Sequence, residues 1–183
     1  MNQAKVTAGK PKTSGSIFRA VKGTAVPTDA TSTLAAAYKD LGYVSEDGVT
    51  NETSRESETV RAWGGDPVLT TQTEYTDSFT FTLIEAKNVD VLKTVFGETN
   101  VTEDGTTHLI TIQANSKELE EGVYVIDQIY NNAVSRFVIP HGKVTEIGEV
   151  SFVDDDAVGY EVTINGTPDT SGNTHYQYIL ENS

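Results

Sequence analysis

The stretch Gln72-Thr73-Glu74-Tyr75-Thr76-Asp77-Ser78-Phe79-Thr80-Phe81-Thr82-Leu83-Ile84 decides the fold class. Tyr75, Phe79, Phe81 and Leu83 fall on one parity, with Thr73 and Asp77 as its less apolar members. Gln72, Glu74, Thr76, Ser78, Thr80 and Thr82 fall on the other. A period of two over this length predicts a strand with one face on a core and one in water. The period then changes. Asn88 stands where an N-cap belongs, Val89, Leu92, Val95 and Phe96 share one helical face, and Gly97 supplies a stop, so one helix is expected near 88–96.

Outward from this strand and helix the chain reads as further strands, at 109–112, 123–130, 134–139, 144–152, 158–164 and 176–180. Asn131-Asn132, Pro140-His141-Gly142, Asp154-Asp155-Asp156 and Asn165-Gly166 are the expected turns between them, since Asn and Gly tolerate the positive φ of tight hairpins. Asp47-Gly48 is a further turn signal. Residues 34–38 suggest a short helical segment stopped near Gly42. Residues 51–61 are dense in Thr, Ser, Glu and Arg without a clear period, and read as a long exposed loop or a mobile hairpin. The predicted class is mainly β (α+β): an antiparallel β-sandwich or barrel-like fold with one flanking helix.

The chain has 183 residues and 19.8 kDa, one ordinary domain's worth. Apolar residues make up 37%, with one Trp, six Phe and eight Tyr, which suffices for a core and argues against wholesale disorder. The absence of cysteine removes disulfides, thiolate metal sites and a cysteine nucleophile. No stretch approaches the roughly 18 apolar residues of a membrane span, and the polar N-terminus lacks a signal-peptide core, so a product folded in the cytoplasm is expected. Net charge is −14. Residues 1–22 hold five basic side chains and no acidic one, leaving 8 − 27 = −19 on the rest. Such a body repels phosphate and is unsuited to reading nucleic acid. Residues 1–16 have the composition of a flexible basic arm, and residues 17–183 form the expected domain.

Chemistry is hard to find. His108, His141 and His175 lie more than thirty residues apart, without metal-ligand spacing. The run Asp154–Asp156 lacks the alternating ligands of a calcium loop and reads as a solvated tip. Gly64-Gly65 lacks the Lys and Ser/Thr of a phosphate loop. The acceptor-like triplets Asn51-Glu52-Thr53, Asn100-Val101-Thr102 and Asn165-Gly166-Thr167 have no secretory signal beside them. No catalytic residue, metal or cofactor is expected. Trp63 has two readings: a core anchor beside a tight turn, or a partner contact at the edge of a polar segment.

Leu41-Gly42-Tyr43-Val44-Ser45-Glu46-Asp47-Gly48, then Ala62-Trp63-Gly64-Gly65-Asp66, then Phe81-Thr82-Leu83-Ile84-Glu85, then Asn88-Val89-Asp90-Val91-Leu92-Lys93 and Val95-Phe96-Gly97 form an ordered set. In that set the chain resembles the major tail proteins, the tail tube subunits, of long-tailed phages with non-contractile tails. The resemblance covers about 15–101. It implies a β-sandwich-like domain assembled as hexameric rings stacked into a hollow tube, with DNA passing through during ejection. It also implies a virion location, self-association, and contact with tail tip, tape measure and tail terminator proteins. DNA would be transient, non-specific cargo, and no membrane is involved. Lumen-lining candidates are the polar parity Gln72, Glu74, Thr76, Ser78, Thr80 and Thr82, together with Glu161 and Thr163. Inter-subunit contact candidates are Lys5, Lys10, Lys12, Arg55, Arg61, Trp63, Gly64, Gly65 and Asp66. Two alternatives stay open: a carbohydrate-binding or adhesin-type β-sandwich module, and the tube protein of a contractile injection or type VI secretion machine.

Overall fold

The structure is a computed structural model that describes residues 6–12, 16–155 and 157–181. In chain order these residues form β1 (Gly9–Pro11), β2 (Ile17–Val21), β3 (Lys39–Asp40), β4 (Val44–Arg61), β5 (Pro67–Leu83), α1 (Val89–Phe96), β6 (Val101–Glu103), β7 (Ile110–Ile112), β8 (Gly122–Tyr130), β9 (Ala133–Ile147), β10 (Tyr160–Gly166) and β11 (Tyr176–Glu181). One sheet runs in the order β3-β2-β8-β9-β10-β5-β4, with β1 beside β8 and β11 beside β9. β6 and β7 make a separate pair. Every pairing is antiparallel. The mainly-β expectation holds, but the sheet path is open between β3 and β4, so no barrel closes among the described residues.

The alternation of β5 is real where the strand lies on the core. Phe79, Phe81 and Leu83 are buried with Tyr160, Val162 and Ile164 of β10, and they meet Val91, Leu92 and Val95 of α1. The other face of the sheet centre carries a second cluster, Ala20, Val123, Val125 and Val138 packed with Leu34 and Tyr38. β8 is therefore covered on both faces over Val123–Ile126, which is why those four residues are apolar without alternation. Arg136, 1% exposed, ties this covering segment down. Its guanidinium donates to Asp127 Oδ1 at 2.6 Å and Oδ2 at 2.9 Å, and its Nη1 to the Ser32 carbonyl at 2.9 Å.

The caps of α1 are the expected ones. Asn88 Oδ1 accepts from the Asp90 N–H at 3.0 Å, and Gly97, at φ 102°, donates to the Lys93 carbonyl at 2.9 Å. Val91 and Thr94 bury alongside Leu92 and Val95, so the buried face is wider than the sequence pattern indicated. Asn88→Ala is expected to cost about 1 kcal/mol through loss of the cap, read as a lowered urea midpoint at unchanged slope.

Several turn assignments are corrected. Asp47-Gly48 lies inside β4 as a bulge: pairing jumps from Val44↔Leu83 to Val49↔Phe81, with Gly48 at φ 73°. Pro140-His141-Gly142 also lies inside a strand, the single strand β9, which ends at Ile147 instead of 152. Ile139 and Val144, an odd number of residues apart, both reach the main core, and the register shift between them absorbs the parity change where Pro140 has no N–H to give. Asn165-Gly166 ends β10 and makes no hairpin. The turn comes later, where the Asp169 carboxylate accepts from the N–H groups of Ser171 and Asn173. Residues 34–38 form one hydrogen-bonded turn, Tyr38 N–H to the Ala35 carbonyl, and no helix. Packing of Leu34 and Tyr38 on the sheet outweighs a five-residue helical tendency. Asn131-Asn132 does form the expected two-residue hairpin, with Tyr130 opposite Ala133.

Among the described residues one strand precedes the expected start at Ile17: β1 pairs with Gln128–Tyr130. Of the two readings of residues 51–61, loop and hairpin, the structure has the hairpin: they are the outer strand of β4–β5.

Candidate functional site

Residues directly opposite each other in an antiparallel pair share a face. Thr82 stands opposite Glu161 and Thr80 opposite Thr163, with their hydroxyl oxygens 3.0 Å apart; Ser78 stands opposite Asn165. On the other side Thr50 faces Thr80, Glu52 faces Ser78, Ser54 faces Thr76 and Glu56 faces Glu74. Glu74, Thr76, Ser78, Thr80, Thr82, Glu161 and Thr163 thus lie on one polar face across two strands. β4 adds Thr50, Glu52, Ser54 and Glu56, which the sequence reading missed because nearly every residue from 51 to 61 is polar and no parity shows. Lys143, opposite Asn165, is the cation at a paired position here, and it is ion-paired with Glu118.

Gln72 leaves this set. A register shift after Glu56 puts Gln72 opposite Ser57, and its Oε1 accepts from Arg55 Nη1 at 3.2 Å. Strict alternation would have kept it with Glu74; the bulge at Thr73 breaks it. Arg55 itself lies over the Tyr75 ring, 4.4 Å from its centroid.

Asp77 marks the root of the hairpin. It is 1% exposed, whereas both strands beyond it run into solvent. Its carboxylate accepts from Asn51 Nδ2 at 2.9 Å and Thr174 Oγ1 at 2.5 Å, with His175 Nδ1 at 2.5 Å, and the His175 ring meets Phe79 edge-on. Burial pushes this carboxyl up; the bonds from Thr174, His175 and Asn51 outweigh burial and hold it below the ordinary value. A carboxyl depressed in the folded state adds stability above its unfolded value of about 3.9, and that stability is lost as pH falls through the folded value. Thermal midpoints are therefore expected to fall as pH is lowered from about 5 to 2, and Asp77→Asn should flatten part of that decline. An unchanged pH slope in the variant would show that other carboxyls carry it.

The tip is built from Ala62 to Asp66. The Ala62 N–H donates to the Asp66 carbonyl at 2.8 Å, the Gly65 N–H to the Ala62 carbonyl at 2.9 Å, and Arg61 Nη1 to the Gly65 carbonyl at 2.9 Å. Gly64 at φ 126° and Gly65 at φ 98° occupy backbone conformations that side chains disfavour, which explains the pair. Trp63 is fully exposed, so the core-anchor reading is overturned. Val60, Val68 and Leu69 are at least half exposed on the shaft below it. Among the other contact candidates, Lys10 stands opposite Ile129, and Lys12 Nζ lies 3.6 Å from Asp127 Oδ2 of its own chain. Lys5 lies outside the described residues, as does Asp156 of the acidic run.

The histidines do not converge. His108 stands in a surface turn 3.9 Å from Glu103, His141 lies 3.8 Å from Glu121, and His175 belongs to the Asp77 cluster.

A family model described as phage tail tube protein matches residues 2–183. No curated protein matches in sequence. Among solved structures the chain is similar to one in the sheath–tube complex of an extracellular contractile injection system, PVC, in the extended state. The identity is 10%, the coverage 94% of this chain and 92% of that chain, and the TM-score 0.38.

Proposed function

Because this chain belongs to the phage tail tube protein family, and is thereby a structural component of a tail tube, we propose that its copies close laterally into rings that stack around a DNA-conducting lumen. Family membership displaces the binding-module alternative. The hexameric ring and the non-contractile tail follow from the resemblance in the sequence, as do the tail tip, tape measure and tail terminator proteins as partners.

The observation that carries the lumen assignment is the polar face of β4, β5 and β10. DNA presents about one negative charge per 1.7 Å, and any unpaired Lys or Arg along its path adds salt-dependent attraction. This face offers hydroxyls and carboxylates, and its one paired-position cation among the described residues is neutralised by Glu118. Ring closure also answers a structural need. β4 is an end strand of 18 residues whose outer row of backbone groups has no partner strand among the described residues, an edge that neighbouring copies can pair or cover. The basic arm, including Lys5, Lys10 and Lys12, would add contacts to acidic neighbours.

Negative-stain microscopy of the purified protein, together with tails isolated from virions, tests this reading. Rings or tubes of this chain are expected; a monomer under all conditions and absence from the tails would overturn it. Trp63→Ala should leave the folding midpoint within about 0.5 kcal/mol, since the side chain touches solvent. The same substitution is expected to lower the yield of tubes. Equal loss of both would mean that Trp63 supports the fold.

A further inference from the structure

A cleft of about 1060 Å³ opens at the root of the hairpin, between β1 and the start of β4. Tyr43, Val44, Val49, Ile126 and Tyr130 give it apolar walls. Its acidic lining is uncompensated: Asp40, Glu46, Asp47 and Glu85 take part in no ion pair among the described residues, and Lys10 is the one opposing charge left over. Asp127, also on the wall, is already neutralised by Arg136 and Lys12.

The far end of the same hairpin has the complementary character. Trp63 is wholly exposed above Val60, Val68 and Leu69. Of the four arginines in the chain, Arg19 and Arg136 are ion-paired, with Glu98 and Asp127. Arg55 and Arg61, both on the hairpin, have no carboxylate partner among the described residues. An aromatic anchor flanked by uncompensated arginine suits an apolar cleft with an uncompensated acidic rim.

We infer that the hairpin tip of one copy seats in the root cleft of the next copy, with Trp63 in the apolar part and Arg61 against Glu46 and Asp47. From Val49 to Arg61 the strand covers twelve residue steps, about 40 Å, so a tip cannot fold back into its own cleft. The contact is therefore heterologous: each copy gives one tip and receives one, and the pattern propagates from copy to copy. This inference rests on the tube reading and assigns it a specific pair of surfaces.

The chain has no cysteine, which makes the test clean. Ala62→Cys on the tip and Ser45→Cys at the cleft are made in separate chains, mixed, assembled and treated with a short bismaleimide. A cross-linked dimer that needs both variants and needs assembly is expected. Tubes that form from the mixture without that dimer would overturn the tip-to-cleft contact and leave the tube reading standing. Failure of the unmodified chain to form any ring or tube would overturn both. In parallel, Arg61→Glu is expected to cut tube yield at least about tenfold, a loss of about 1.4 kcal/mol per contact. Glu46→Arg with Asp47→Arg should restore it. A yield unchanged by Arg61→Glu, or no recovery in the charge-reversed combination, would count against the pairing.

Discussion

Arg136→Ala is expected to destabilise the fold by about 3–5 kcal/mol, because it strands a buried carboxylate. Asp127 is 4% exposed and, among the described residues, would keep only Lys12, at 3.6 Å, as a charged neighbour. The Ser32 carbonyl would lose its donor as well, and with it the tie that holds the segment bearing Leu34 and Tyr38 on the sheet. A loss of that size is a large share of the 5–15 kcal/mol typical of whole domains. Urea unfolding would show it as a large drop in midpoint. Asp127→Asn should also be costly, since the buried guanidinium would then lack its counter-charge. The double variant should lose less than the sum of the two. A loss under about 1 kcal/mol for Arg136→Ala would mean that solvent, entering by the adjoining cavity of about 340 Å³, rehydrates Asp127.

Thr80→Lys is expected to change how the assembled tail handles DNA rather than how the chain folds. Thr80 lies on the polar face opposite Thr163, and the substitution gives up one hydroxyl contact worth about 1 kcal/mol. In a hexameric ring it would add about six lysines to the lumen wall, and that many phosphate contacts makes DNA retention fall by about 10³-fold between 50 and 200 mM salt. Ejection from virions carrying the variant should therefore slow or stall at low salt and recover as salt is raised. Thr80→Gln, of comparable bulk without charge, should eject normally. Normal ejection by the Thr80→Lys variant at low salt would place this face away from the DNA path.

The parts of the fold that could be read from the residues are those where one face of an element meets a core. From Asp77 to Leu83 every second residue is buried, and the α1 caps use the side chain and the glycine that the local pattern pointed to. The lumen candidates were grouped by the same parity, and pairing with β10 put Glu161 and Thr163 beside them. The reading stayed open, or went the wrong way, where nothing local distinguishes the outcomes. Residues 51–61 project beyond the core with both faces in solvent, so no apolar period exists to announce a strand. Trp63 had a core-anchor and a partner-contact reading by type, and the hairpin carries it away from the body. Asp47-Gly48 and Pro140-His141-Gly142 carry turn chemistry that the sheet uses for bulges, because partner strands continue past them.

The sequence by itself determined the class, the one helix, the cation-poor polar parity of β5 and the acidic body, since each depends on neighbours within a few residues or on composition. Only the tertiary structure decided which polar strands share one face, where the hairpin root is clamped and what covers the second face of the sheet. Those depend on partners far apart in the chain, Asp77 with Thr174 and His175, and Arg136 with Ser32. Burial there creates the need for a hydrogen-bond partner, and only the folded chain determines which distant group supplies it.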